Sequence, residues 1–279
     1  MKCLTRRAFL KRAIGYGVPA LLATYAVGVE RYILDINTYR IAVPNLPSVF
    51  NGFRMVQLSD LHYGALMPLA CIRRVIRLAN EIPRDAVICT GDYVLERNAA
   101  HQIDTVWPVI AELNAPLGVY AVLGNHDHWA DTTRSQHWLT ASGFDLRRRA
   151  TRIEKDGKGI WLAGAGDHWT DPVDIDTLLA EVPDADCRIV LAHNPDTADT
   201  PHAARCDLIV SGHTHGGQVN IPFFGPPILP VRNKNYSHGL RLSAREEKVF
   251  ISKGIGWAIY PIRFNCVPEI AVLELVASG

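Results

Sequence analysis

The sequence predicts an α/β fold in which two mixed sheets pack together and carry helices on their outer sides. Three observations lead there. The first half alternates short apolar runs with amphipathic helical stretches. The second half turns to hairpin patterns, and five of the apolar runs end on Asp, Asn or His. With 279 residues, 48 % of them hydrophobic and 20 % charged, the chain can bury a full core and is too apolar to stay disordered. No linker or repeat divides it, so residues 32–279 read as one domain behind a distinct N-terminal segment, 1–31.

That segment comes first. "MKCLTRRAFLKRAIGYGVPALLATYAVGVER" holds Lys2, Arg6, Arg7, Lys11, Arg12 and Arg31 against Glu30 alone. A basic head before the uncharged run Ala13–Val29 is the layout of an export signal. "TRRAFLK", Thr5 to Lys11, resembles the twin-arginine signal, which implies handling by the twin-arginine export machinery and a place at the cell envelope. The uncharged run is short for a spanning helix and contains Gly15, Gly17, Pro19 and Gly28. A removed signal and a retained N-terminal membrane anchor both stay open. The formal charge of +1 hides this asymmetry: residues 32–279 keep 23 basic and 27 acidic residues, a net of −4. A body of that sign has no general affinity for nucleic acid, so none is expected as partner.

The elements follow in order. "FRMVQLSD" (53–60) is a buried strand stopping at Asp60. Residues 68–82 form an amphipathic helix, with Leu69, Ile72, Val75, Ile76, Ala79 and Ile82 on one face and Arg73, Arg74 and Arg77 on the other. "DAVICTGD" (85–92) is a second strand, 101–113 a helix, "GVYAVLGNHD" (118–127) a third strand and 131–142 a helix. Residues 151–167 alternate around Asp156-Gly157, the strongest hairpin signal in the chain. A short helix near 174–181 precedes the strands "CRIVLAHNPD" (187–196) and "CDLIVSGHTH" (206–215), and late strands fall at 239–243, 247–252 and 269–276. The six cysteines show no C-x-x-C pair; Cys89 and Cys187, inside apolar runs, read as small buried hydrophobes.

In open α/β sheets ligands bind beyond the carboxyl ends of the strands. The five polar strand ends would therefore bring Asp60, His62, Asp92, Asn125, His126, His193, His213 and His215 together. Glycines flank the two histidines of "SGHTHGGQV" (211–219), where a backbone needs to come close to something. Carboxylates, an amide oxygen and imidazoles, with no sulfur, suit manganese, iron or zinc. Seven donors exceed one tetrahedral zinc and are natural for two cations, which polarise a phosphoryl oxygen and generate a hydroxide nucleophile.

"D60-L-H62", "G91-D92", "G124-N125-H126-D127", "H193" and "G212-H213-T214-H215" resemble, in order, the five blocks of the calcineurin-like metallophosphoesterases. The resemblance implies a four-layer α/β/β/α sandwich and a dinuclear phosphoesterase; among manganese, iron and zinc, manganese is the expected pair. Asp60, His62 and His215 would then hold the first metal, and Asn125, His193 and His213 the second, with Asp92 bridging. His126 matches the histidine that meets the substrate phosphate and protonates the leaving oxygen, and Asp127 would orient that imidazole. "TGDYV" (90–94), "LAHNPD" (191–196), "GHTHGGQVNIPFFGPPILP" (212–230) and "YPIRFNCVPEI" (260–270) resemble the exported or membrane-attached phosphodiesterase branch. That implies a phosphodiester or lipid-linked pyrophosphate as substrate and a membrane surface as partner. Asp167, His168, Arg232, Lys234 and Arg263 stand as further candidate substrate contacts. A non-catalytic envelope scaffold with the same fold is the alternative reading. A metallo-β-lactamase-like hydrolase would need an H-x-H-x-D-H block, and none is present.

Overall fold

The computed structural model describes residues 5–7 and 13–278; residues 8–11 of the "TRRAFLK" stretch lie outside the described residues. A single π turn (Ala13–Gly17) leads into helix α1 (Val18–Gly28). The strands then form two sheets. The first, in spatial order, is β1 (Asp35–Val43), β11 (Glu269–Ala277), β2 (Phe53–Leu58), β3 (Ala86–Cys89) and β4 (Val119–Ala121). The second is β5 (Arg149–Lys155), β6 (Lys158–Gly164), β7 (Arg188–Leu191), β8 (Leu208–Ser211), β10 (Lys248–Ile251) and β9 (Gly239–Leu242).

Both sheets are mixed. β2, β3 and β4 run parallel, as do β6, β7, β8 and β10, while β11 opposes β2, β5 opposes β6 and β9 opposes β10. The parallel central strands are short apolar runs buried along nearly their whole length, the pattern of strands covered on both faces. Phe53, Met55, Ile88 and Leu273 of the first sheet meet Ile189, Leu191, Val210 and Phe250 of the second in one core between the sheets. On the outer face of the first sheet pack α2 (Leu69–Glu81), α3 (Ala100–Ile110) and the helical segment α4 (Asn125–Ala141), around Ile72, Val106, Trp107 and Leu139. The short α5 (Ile175–Leu179) and the loop through Leu229, Val231 and Tyr236 cover the second sheet. The four layers expected from the resemblance are present.

The Asp156-Gly157 turn between β5 and β6 has φ of 49° and 74°, both left-handed, as a type I′ hairpin requires. Cys89 and Cys187 are buried and unpaired, in keeping with their apolar neighbourhoods.

Three elements differ from the sequence reading. β1 was not expected; it is a half-exposed edge strand with polar Asn37, Thr38 and Tyr39, and it pairs in parallel with the chain's last strand. Its Asn37 and Tyr39 side chains each donate to Glu269 Oε2 at 2.8 Å. The third strand is shorter than 118–127, ending at Ala121, and helix begins at Asn125 rather than 131. The helical segment breaks at Asp131, whose backbone is extended (φ −174°, ψ 105°) and whose carboxylate accepts the Arg134 N–H at 2.9 Å. Residue 131 thus caps a second helical piece, a start that periodicity reveals; the first turn is the metal-motif turn itself.

Candidate metal centre

β2, β3, β4, β7 and β8 all point their carboxyl ends to one edge of the paired sheets, and the polar residues that follow them converge there. Asp60 Oδ1 lies 3.4 Å from His215 Nε2 and 3.9 Å from His62 Nε2. The Asp92 carboxylate sits between the two halves, with Oδ2 at 3.5 Å from His62 Nε2 and 3.2 Å from His193 Nε2. His213 Nδ1 is 3.1 Å from His193 Nε2, and the rings of His62 and His215 stack with Nε2 atoms 2.9 Å apart. Potential ligand atoms of Asp60, His62 and His215 cluster within 4.8 Å of one another, as do those of Asp92, His193 and His213, and those of His62, Asp92 and His126.

The backbone is strained where it delivers these groups. Asp60, His62, Asp92, His213 and His215 have φ of 56°, 49°, 59°, 70° and 53°, a left-handed region that non-glycine residues seldom enter. Such strain persists only where the surrounding structure imposes it, and here it turns side chains off strand ends into the cleft. The flanking glycines answer to the same crowding. A Cβ on Gly212 would lie 1.9 Å from Ser59 Oγ and 2.4 Å from Asp60 Oδ2, and one on Gly124 would lie 2.2 Å from Asp92 Oδ1.

The donor set fits divalent cations. His193 donates its Nδ1–H to Thr90 O (2.7 Å) and His213 its Nε2–H to Pro230 O (3.0 Å), which turns the opposite ring nitrogens toward each other, the pair that a bound cation would take in place of any proton between them. A backbone carbonyl fixing the tautomer is the usual support of a ligating imidazole. The buried Asn125 Oδ1 has no hydrogen-bond partner, an orphan acceptor that a cation would satisfy. Burial pushes His62 and His213 down to about 3, with neighbouring imidazoles adding to it, so both rings are neutral ligands at ordinary pH. Burial likewise pushes Asp60 up to about 6, which a bound cation would reverse. For His193 burial works downward, but the Asp92 carboxylate overcomes it and raises the ring to about 10.

The role expected of Asp127 needs correction. Its carboxylate does not touch the His126 ring. It accepts backbone N–H groups from Gly124 (2.9 Å), Asp92 (2.8 Å) and Tyr93 (2.8 Å), tying the Asp92 and Asn125 turns together. The His126 ring is held instead by its Nδ1–H, which donates to Leu95 O at 2.6 Å, and its backbone N–H donates to Asp92 Oδ1 at 2.8 Å. The physical reason is direction: at the first turn of a helix a carboxylate reaches back to free amides more readily than across to the ring one residue before it.

Several supporting residues escaped the sequence reading. Gln57 Nε2 donates to Thr90 Oγ1, Thr90 Oγ1 to Ser59 Oγ and Ser59 Oγ to Asp60 Oδ2, a buried relay behind one ligand. Arg263 is a correction too: it is fully buried, behind the cluster with a guanidinium nitrogen 3.3 Å from His215 Nδ1. Its guanidinium donates to the backbone oxygens of Gly256, His215 and Cys266, clamping the turn that carries His215. An arginine amid "YPIRFNC" looks like any cation in sequence; only burial reveals the clamp. Asp167 is also buried, and its Oδ2 accepts from Trp169 N, Thr170 N and Thr170 Oγ1, shaping the loop that carries Trp169. Trp169 stands edge-on over His213 (4.6 Å between centroids) and nearly parallel to Trp129 (6.4 Å, 22°), which packs on His126 at 4.8 Å. The Arg97 guanidinium lies 4.0 Å over the Trp129 ring. Two indoles and a cation therefore frame the mouth.

Two packed mixed sheets with a bridged cluster of carboxylates and imidazoles at their carboxyl edge define a metal-dependent hydrolase. The family model for calcineurin-like phosphoesterases matches residues 53–217, and the chain belongs to that family. It is 33 % identical to the uncharacterized metallophosphoesterase YkuE of Bacillus subtilis over the full length of both chains. It is 34 % identical to phosphodiesterase YaeI of Escherichia coli, across 80 % of this chain and 82 % of that one. Similarity extends to the UDP-2,3-diacylglucosamine pyrophosphatase LpxG of Chlamydia muridarum, 24 % identical across 92 % and 93 % of the two chains.

Proposed function

We propose that the chain hydrolyses a phosphodiester or a lipid-linked pyrophosphate at the cell envelope. The observation that carries the reading is the place of the Asp92 carboxylate, within 3.5 Å of His62 and 3.2 Å of His193, one imidazole from each half of the cluster. Asp60, His62 and His215 would hold one divalent cation, and Asn125, His193 and His213 the other, with Asp92 shared. Manganese is the preferred metal. When bound, the pair supplies a Lewis acid for the phosphoryl oxygen and lowers the pKa of the attacking water.

The chain's own groups do the rest. His126 Nδ1–H is committed to Leu95 O, so Nε2 is the ring atom left to meet the phosphate and to pass a proton to the departing oxygen. Its ring stands edge-on to His62, 4.7 Å between centroids, and its ligand nitrogen lies within 4.8 Å of those of His62 and Asp92, at the side of the cluster that faces the mouth. Trp129, Trp169 and Arg97 screen the mouth from water and offer a positive charge to a second phosphate. The exported location rests on the basic head and uncharged run of residues 1–31, which also name the twin-arginine machinery and the membrane as partners.

The test is turnover of a chromogenic phosphodiester beside the matching monoester, after manganese loading, for wild type, Asn125→Ala and His126→Ala, with bound metal counted. Diester turnover lost in both variants, with metal retained in His126→Ala, supports the assignment. Two bound metals with no turnover of either ester would point to the lipid-linked pyrophosphate. No bound metal and no turnover would sink the reading.

A further inference from the structure

Three segments far apart in sequence meet beside the metal centre. The loop after His215 is paired to the chain near its end: Phe264 N donates to Gln218 O and Asn220 N to Phe264 O, both at 2.8 Å. Gln218 also exchanges hydrogen bonds with the backbone of Ala258. The end of α1 joins the same strip, because Arg263 N donates to Ala26 O (3.1 Å) and Cys266 N to Glu30 Oε1 (2.7 Å). A cavity lined by Tyr25, Glu30, Asn220, Pro222, Phe264 and Cys266 lies between helix and loop, so the three form one continuous face.

That face is apolar and unprotected. Phe223 and Phe224 are 104 % and 88 % exposed, Ile228 76 %, and Ile259 and Tyr260 81 % and 71 %. On α1, Val18, Leu21, Leu22 and Val27 are exposed as well. Scattered exposed apolar side chains need no explanation, but a contiguous set of this kind marks an interaction surface. Phe223 and Ile259 are moreover held at φ of 70° and 62°, and for a β-branched residue that is a real outlier. Strain that projects a phenyl and a sec-butyl group into water serves no folding purpose.

We infer that this face, made of α1, the lip at 221–228 and Ile259–Tyr260, docks on an anionic phospholipid bilayer and so presents the metal centre at headgroup level. No Asp or Glu occurs in 13–29, 219–234 or 255–268, whereas Arg232 and Lys234 close the lip, and that charge balance matches an anionic lipid surface. Continuity with α1 selects a bilayer over a soluble protein. At 11 residues α1 is about 16 Å long, and no helix among the described residues is long and apolar enough to cross a membrane. The lip adds a second contact to that of α1, and two shallow contacts together hold a chain to a surface more firmly than either one alone. The inference rests on the envelope reading above and adds to it the orientation of the site.

The test is flotation of the full chain with vesicles of phosphatidylcholine, with and without phosphatidylglycerol. Phe223→Ser/Phe224→Ser and Ile259→Ser/Tyr260→Ser are compared with wild type, and turnover of a water-soluble diester is read in parallel. Each pair should lower partition into the anionic vesicles by roughly tenfold or more, because two aromatic or aliphatic burials are removed. Soluble-diester turnover and thermal melting should stay unchanged. Partition unaltered in both pairs overturns the inference. So does a wild type that ignores vesicles and instead forms a dimer that the substitutions dissociate. Vesicle binding with no diester turnover would leave the docking face standing and remove the hydrolase reading.

Discussion

The Asp127 carboxylate stands behind Asp92: its Oδ2 accepts the Asp92 backbone N–H at 2.8 Å while its Oδ1 takes that of Tyr93 at the same distance. Asp92 is the carboxylate shared between the two halves of the cluster and sits at a left-handed φ of 59°. Asp127 is thus what keeps a strained turn in place.

Asp127→Ala should consequently behave as a structural lesion. It frees the buried N–H groups of Gly124, Asp92, Tyr93 and Val94, each costing about 1–3 kcal/mol unpaired, so urea denaturation should show a loss of about 3 kcal/mol or more and metal content should fall. The pH–rate profile of the folded fraction should keep its shape. Intact stability with a displaced pH profile would return Asp127 to the proton-handling role that its position beside His126 first suggests.

Asn125 gives the opposite signature. Its Oδ1 is buried without a partner, so the metal-free chain gains nothing from it. Metal-free Asn125→Ala should melt no lower than metal-free wild type. Manganese should raise the wild-type melting temperature, since a ligand at a hundred times its Kd stabilises by about 2.7 kcal/mol. The rise should shrink in the variant, with the metal count dropping from two toward one. An unchanged rise and count would remove Asn125 from the ligand set.

What the sequence made legible follows from what is local. Apolar runs ending in Asp60, Asp92, Asn125, His193 and His213 announced both the central strands and the cluster, because a buried parallel strand and its polar end lie in one short window. β1 was not legible: its pairing partner is more than 230 residues away and its side chains are half polar. Asp127 was misassigned because adjacency in sequence suggested a contact that helix geometry does not make. Arg263 and Asp167 were read as facing substrate because burial, which turns a charged side chain into a clamp, leaves no local trace.

Arg263→Lys tests the clamp. The guanidinium serves the oxygens of Gly256, His215 and Cys266 at once, a fork that an ammonium on a single stem does not reproduce. Hydrogen bonds from a charged donor are worth about 1.5–3 kcal/mol each, so the variant should unfold at clearly lower urea concentration. Because the His215 carbonyl is among the partners, metal affinity should fall with it. Stability lost while metal binding holds would show that the clamp supports the fold alone.

Trp169 should report on substrate and on little else. It is half exposed, so its removal takes no core packing with it, and its ring stands over His213 and nearly parallel to Trp129 across the mouth. An aromatic contact of this kind is worth about 1 kcal/mol, roughly fivefold in an equilibrium. For an aryl phosphodiester, Trp169→Ala should therefore raise KM by roughly fivefold, with kcat and metal content nearly unchanged. Asp167→Ala releases the same loop from beneath, since Trp169 N and both Thr170 donors lose their acceptor. It should raise KM in the same way and cost stability as well. A fall in kcat for Trp169→Ala at constant KM would mean that the indole acts on the reacting phosphate through His213, and the mouth would have to be counted as part of the chemistry.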